Sequence, residues 1–335
     1  MNVMRVYPSA APDTIRAETG EASPPGPGEI GVRMRGASIN FRDALVARGL
    51  FPVAEGLIPL SDGAGEVIAV GMGVTDHAVG DHVVSLFHPT WIDGAIDRAR
   101  LTESPGGPRD GFACEFVTRP ASHFTRAPAN LDHAESATLP CAGLTAWRAV
   151  VTDGQVKPGA TVLIQGTGGV SLFALQFARA AGATVIATSS SDEKLARLRA
   201  LGADHVINYK RVEKWGEAVV ALTNGRGADH VIEVGGPHTL PQSLIAARTG
   251  GHVAIIGAVG GFDIDVIPFA IVQAKRLRLQ GVTVGSRRDQ IDMVAAIEAN
   301  TIRPVIDSRF PLARLPDALR HLQGGGHVGN ICLDI

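Results

Sequence analysis

Hydrophobic and polar positions along this chain fall into two regimes. Early in the chain they form short alternating or β-branched runs, Met4 to Tyr7, Glu29 to Ala37, Ala64 to Val70, His82 to Phe87 and Phe112 to Thr118, punctuated by turn clusters such as PPGPGEI. A period of two between proline and glycine breaks predicts a β-rich region. Further on, apolar runs at 162–165, 184–188, 205–207, 230–233, 252–256 and 277–282 alternate with stretches of helical period: Leu172 to Ala178, Val212 to Thr223 and Thr239 to Ala247. Strand and helix alternating at this spacing predict an α/β fold with a doubly wound, six-strand parallel sheet, whose ligand lies outside the carboxyl ends of the strands. Ala134 to Val151 reads as a helix joining the two regions. His88 to Gly111 reads as a long irregular loop, of a length more often functional than incidental. After Ser286, a helix (Asp289 to Ala299), an extended stretch (Arg303 to Phe310), a helix (Leu315 to Leu322) and a strand (Asn330 to Leu333) are expected to rejoin the first region. The expected domains are therefore 1–127, 128–286 and 287–335.

The first strand of the alternating region runs into Gly166, Thr167, Gly168, Gly169 and Val170, with Ser171 in the third small-residue place of a G-x-G-x-x-G fingerprint. Glycines at such a turn let the backbone approach a pyrophosphate, and the free amides at the start of the next helix bind it. The strand before the turn, and the helix and strand after it, give the motif its weight. An NAD site places Asp or Glu at the end of the second strand. Here that place holds Thr188, Ser189 and Ser190, with Lys194 beyond, so NADP is the expected cofactor. Asp192 dissents, and Ser190 with Glu193 also reads as a capping box. Tyr209 follows the third strand, beside the adenosine. Gly235, Gly257, Ala258, Val282 and Asn330 complete the candidate cofactor contacts.

Composition changes this picture little. The chain has 335 residues, 45% hydrophobic and 19% charged, with a net charge of -2, so it carries no basic footprint for nucleic acid and no membrane span is expected. Three widely spaced cysteines, Cys114, Cys141 and Cys332, suit a reducing compartment better than a disulfide framework. The opening MNVMRVYPSAAPDTIRAE lacks the sustained apolar stretch of a secretion signal, and a cytoplasmic location is expected.

The ordered set SINFRDALVARGLFP, LSDGAGEVIAVG, VGDHVV, LPCAGLTAW, VLIQGTGGVSLFALQFA, LGADHVINY, VIEVGG and GHVGNICL resembles the medium-chain dehydrogenase/reductase superfamily over nearly the whole chain. The resemblance implies a GroES-like catalytic domain with a Rossmann domain, an active-site cleft between them, NAD(P)-linked hydride transfer and a homodimer. Zinc members carry Cys where Asn40 stands and Gly-His-Glu where this chain has Leu60, Ser61 and Asp62; the third metal position falls on Cys141. Catalytic zinc needs three good protein ligands, and the stretch 88–111 has no cysteine for a structural zinc, so no metal is expected.

Without a Lewis acid, alcohol oxidation is handicapped, whereas reduction of a conjugated alkene or quinone needs only hydrogen bonds to a carbonyl that accumulates charge. The NFRD segment resembles the zinc-free quinone oxidoreductase and enoyl reductase branches. That resemblance puts Asn40 and Thr145 against the nicotinamide. Asp43, beside Arg42, reads equally as a salt link that fixes the loop or as a substrate contact. His88 and Asp93 are proton donors to weigh, each read as a surface residue. The expectation is an NADPH-dependent reductase of a small electrophile. The alternatives are an alcohol dehydrogenase or aldehyde reductase of the same superfamily, and a non-catalytic NADPH-binding sensor.

Overall fold

The computed structural model describes residues 1–8, 14–257, 260–261 and 267–335. They form two compact units, Met1–Leu144 with Val284–Ile335, and Thr145–Thr283.

The first unit is built on a long strand. Its strands before the crossover are β1 (Asn2–Val6), β2 (Ile15–Thr19), β3 (Glu29–Ile39), β4 (Asp62–Val70), β5 (His82–Ser85), β6 (Phe116–Pro120) and β7 (Phe124–Arg126). β3 is buried along most of its length and pairs antiparallel with both β4 and β6. Two irregularities in its register with β4, at Gly31/Val32 and Met34/Gly36, bend it. At Gly36 a Cβ would lie 2.8 Å from the His133 carbonyl oxygen, so glycine lets the short helix His133–Ser136 sit on the strand. That helix packs on β3 and β4, which is why residues 128–144, grouped by sequence with the dinucleotide domain, belong to this unit.

The second unit contains β8 (Thr161–Gln165), β9 (Thr184–Ser189), β10 (His205–Asn208), β11 (Ala228–Glu233), β12 (Ala247–Ile255) and β13 (Arg278–Gly281). All are parallel, in the order β10-β9-β8-β11-β12-β13. This is the doubly wound order expected, with the strand order reversing between β8 and β11. Val162, Leu163, Ile164, Val231 and Ile232 are fully buried, as strands covered on both faces require. The chain then returns to the first unit through the helix Arg287–Ala299, β14 (Ile306–Pro311), the helix Leu315–Gln323 and β15 (Asn330–Asp334), which pairs with β3.

Several elements depart from the sequence reading. Ala134 to Val151 is not one helix: after His133–Ser136 come a π turn at Leu139–Gly143, a single α turn at Leu144–Trp147 and a second π turn at Arg148–Thr152. Pro140 in the first π turn has no N–H to continue an α ladder. The helix expected from Val212 starts at Trp215. β6 starts at Phe116 rather than Phe112, because Phe112 and Ala113 donate their N–H groups to Leu60 and Pro59 instead. The edge strand β2 and the helices Phe41–Ala47 and Phe269–Ala274 are too short to leave a periodic signal.

Candidate active site

Asn40 follows β3 and caps the helix Phe41–Ala47. The Asp43 carboxylate reaches back to accept the Asn40 backbone N–H at 2.8 Å, the reciprocal half of a capping box. Ser38 pairs with Asp62 in the β3–β4 ladder, and this brings Asn40 beside the start of β4. The Asn40 Nδ2 donates to Asp62 Oδ2 at 2.9 Å, the Ser61 hydroxyl donates to Asp62 Oδ1 at 2.6 Å, and the Cys141 backbone N–H donates to Asp62 Oδ2 at 3.2 Å. The N–H of Cys141 is available because it lies in the first turn of the π segment, where no intrahelical acceptor precedes it. Asn40, Ser61 and Cys141, expected at the three metal positions, are thus brought together, each donating to the carboxyl of Asp62.

Electrostatics at this cluster favour neutral groups. Burial pushes the Asp62 carboxyl up to about 7, against its three hydrogen bonds, and pushes Asp43 up to about 6, against the Arg42 guanidinium 3.7 Å away. Desolvation of the sulfur, with Asp62 adding to it, raises the Cys141 thiol well above its usual range, so it stays protonated. Arg42 also donates to the Pro105 carbonyl at 2.9 Å and lies 5.0 Å from the Phe87 ring centre, tying the 88–111 loop to the capping turn.

Leu60 holds the backbone entry to Ser61 and Asp62. It is fully buried and has φ +74°, the left-handed region that disfavours a branched side chain. Gly106 and Gly111 approach its backbone so closely that a Cβ would lie 2.6 Å and 2.0 Å from its atoms. The position where zinc relatives carry glycine therefore keeps a glycine-like backbone while carrying leucine, and the loop is held by glycines on the other side. His88, read from sequence as a surface residue, is 4% exposed and lies against Phe87 and Trp91; Asp93 is on the surface.

In the second unit, Gly166 follows β8 with φ +72°, and Gly168 caps the helix Gly169–Ala180. A Cβ added to either glycine meets no atom within 4 Å. The left-handed backbone of Gly166 itself calls for glycine, packing demands neither residue, and the open space beside both fits the close approach of a pyrophosphate. Thr167 is buried and Val170 half-buried. Ser171 is 2% exposed and donates to the Gln165 carbonyl at 2.6 Å, so its small side chain closes helix to strand.

At the end of β9, Ser189 is buried and Ser190 half-buried. The helix Asp192–Ala200 is capped by Ser191, which accepts the Lys194 N–H, and not by Ser190 as the sequence suggests, because the helix begins one residue later. The Tyr209 N–H donates to the Ser189 carbonyl at 3.1 Å, and its side chain is exposed. Gly235 and Gly257 follow β11 and β12, each too close to a neighbour for a Cβ, and Val282 follows β13. Ala258 lies outside the described residues. Thr145, 4% exposed, belongs to this unit, whereas Asn330 belongs to the first, where its Nδ2 donates to the Val305 carbonyl at 3.1 Å.

The residue that sequence reasoning missed here is Glu233. Fully buried at the end of β11, it accepts from Gln165 Nε2 (2.8 Å), Ser243 Oγ (2.5 Å), Thr239 Oγ1 (2.5 Å) and the N–H groups of Gly235 (2.8 Å) and Gly236 (2.9 Å). Gln165 and Glu233 are the last residues of the two strands flanking the order reversal, so this network locks together the two glycine turns beside it. Its only sequence signal is an acid closing an apolar run two residues before Gly235-Gly236.

Comparison with known proteins agrees with this architecture. Residues 26–129 match the alcohol dehydrogenase GroES-like domain family and residues 169–299 the zinc-binding dehydrogenase family. A zinc-type alcohol dehydrogenase-like protein of Schizosaccharomyces pombe is 43% identical, over 92% of this chain and 91% of that protein. A crystal structure from Sinorhizobium meliloti 1021, described as an alcohol dehydrogenase, is 41% identical with a TM-score of 0.93, covering 100% of this chain and 98% of that one. A crystal structure described as an NAD-dependent alcohol dehydrogenase is 32% identical with a TM-score of 0.91, covering 100% of both chains. With a GroES-like unit, a doubly wound nucleotide-binding unit and these relatives, the chain belongs to the medium-chain dehydrogenase/reductase superfamily of nicotinamide-dependent oxidoreductases.

Proposed function

We propose that the protein is a zinc-independent, NADPH-dependent reductase of a small electrophile, a quinone or an α,β-unsaturated carbonyl. The observation that carries this reading is the bonding of Asp62. At the three positions where zinc relatives place their ligands, this chain has an amide, a hydroxyl and a protonated thiol, and beside them a buried carboxyl whose oxygens already accept from Asn40, Ser61 and the Cys141 N–H. Among the described residues no three His, Cys, Asp or Glu side chains gather at metal-binding distances. Amide and hydroxyl oxygens are poor zinc donors, and a neutral thiol must lose its proton to bind, so the donor set does not fit catalytic zinc.

When bound, NADPH supplies the hydride. The chain's own contribution is to hold it and to stabilise charge on the acceptor. Gly166 and Gly168 leave room for the pyrophosphate, and Ser189, Ser190 and Lys194 receive the 2′-phosphate. The Asn40 amide, fixed by Asp62, offers a hydrogen bond to the substrate carbonyl as negative charge develops there. An amide donor held before the reaction costs no reorganisation during it. Thr145 is a further hydroxyl donor in this reading.

A second reading, NAD-linked alcohol or aldehyde chemistry, draws support from the relative described as an NAD-dependent alcohol dehydrogenase, at 32% identity. Cofactor consumption with NADPH and with NADH against quinones, enones, enoyl thioesters and aldehydes separates the two. NADPH oxidation by enones or quinones is the expected result; aldehydes with NADH turning over faster than every conjugated acceptor would reject it.

A further inference from the structure

Asp192 stands two residues beyond Ser190, where a carboxylate would oppose a 2′-phosphate and favour the 2′-hydroxyl of NAD. The structure shows what that carboxylate does instead. Its Oδ1 accepts from the Asn208 Nδ2 at 2.6 Å, and its Oδ2 is ion-paired with the Arg211 guanidinium. Asn208 is opposite Ser189 in the β9–β10 ladder, and the Tyr209 N–H donates to the Ser189 carbonyl. Arg211 in turn is held in the turn by its own N–H, donated to the Asn208 carbonyl at 3.0 Å. The turn after β10 therefore lies along the end of β9 and brings a guanidinium to Asp192 that the sequence, nineteen residues away, does not announce.

We propose that Arg211 determines cofactor specificity: it neutralises Asp192 and presents its remaining N–H donors to the 2′-phosphate of NADP. The inference rests on the NADPH reading above and extends it to a residue outside the serine and lysine set. With both carboxylate oxygens engaged, Asp192 no longer competes for a ribose hydroxyl. The Arg211 side chain is 73% exposed, so a phosphate can reach it, and the planar fork of a guanidinium can bond a carboxylate on one edge and a phosphate on another.

The test measures dissociation constants of NADPH and NADH by nucleotide fluorescence on the full-length protein and on Arg211→Ala, Arg211→Lys and Asp192→Asn. Arg211→Ala is expected to weaken NADPH about tenfold and to leave NADH unchanged or tighter, because Asp192 is released toward the 2′-hydroxyl. Arg211→Lys should fall between, and Asp192→Asn should increase the preference for NADPH. Equal melting temperatures show that the exposed substitutions leave the fold intact. A wild type that prefers NADPH while Arg211→Ala shifts both nucleotides equally, or neither, overturns the role of Arg211 alone. A wild type that binds NADH as tightly as NADPH overturns the NADPH reading and this inference together.

Discussion

The side-chain amide of Asn40 donates to the fully buried carboxylate of Asp62 at 2.9 Å, joining the capping turn after β3 to the first residue of β4. Asn40 and Ser61 stand at two of the three places where the zinc pattern of the family would put ligands; in this chain both donate to Asp62 instead. Elemental analysis of the purified protein is expected to find far less than one zinc per chain, with chelators leaving activity intact. Stoichiometric zinc would reject the proposed chemistry.

Asn40→Ala removes the proposed donor to the substrate oxygen. Turnover on the best substrate should fall about a hundredfold, as for one lost oxyanion donor, with cofactor affinity nearly unchanged. Unaltered turnover in steady-state assays would take Asn40 out of the mechanism.

Lys194 sits in the first turn of the helix Asp192–Ala200, which follows Ser189 and Ser190 in the chain. Lys194→Ala should narrow the NADPH over NADH preference by about 1.5–3 kcal/mol, the worth of a charged hydrogen bond. Titration of both nucleotides checks it, and an unchanged ratio counts against a phosphate contact.

Glu233→Ala leaves the buried donors of Gln165, Thr239, Ser243, Gly235 and Gly236 without their acceptor. Unfolding in urea should show a loss of at least about 3 kcal/mol, and Glu233→Gln, which keeps one oxygen, should lose less. Nucleotide affinity should fall in both, since the two glycine turns lose their tie.

Three buried groups, a histidine pair and a carboxyl of opposite sense, shape the pH dependence of stability. Burial lowers His230 and His252, neighbours across β11 and β12, to about 4. The unfolded chain takes up these protons from about pH 6.5 downward and the folded one does not, so stability is present above that pH and is lost as pH falls toward 4. His252→Leu should recover about 2–3 kcal/mol at pH 4.5 relative to pH 8. Asp62 behaves in the other direction. Raised to about 7, it favours folding below its unfolded value near 4, and that stability is lost as pH rises through about 7. Asp62→Asn should flatten the neutral limb of the curve obtained by denaturation at stepped pH.

Two features of the chain were legible because they are local. The glycine fingerprint with its flanking apolar runs predicts β8, the turn and the helix, and repetition of that unit predicts a six-strand parallel sheet, because period and turn chemistry act over a few residues. The loss of metal-ligand types at Asn40 and Ser61 is likewise visible by inspection. What the tertiary structure decided are relationships across distance. Leu60 takes a glycine-like φ because Gly106 and Gly111, some fifty residues on, crowd its backbone. Asp62 becomes a hydrogen-bond hub only when β3, β4 and the π turn at Cys141 converge. Glu233 meets Gln165 because strands 68 residues apart in sequence are adjacent in the sheet, and Arg211 meets Asp192 because the turn after β10 lies beside β9. Burial and partner choice depend on which segments pack together, and that is a property of the whole fold rather than of any window of sequence.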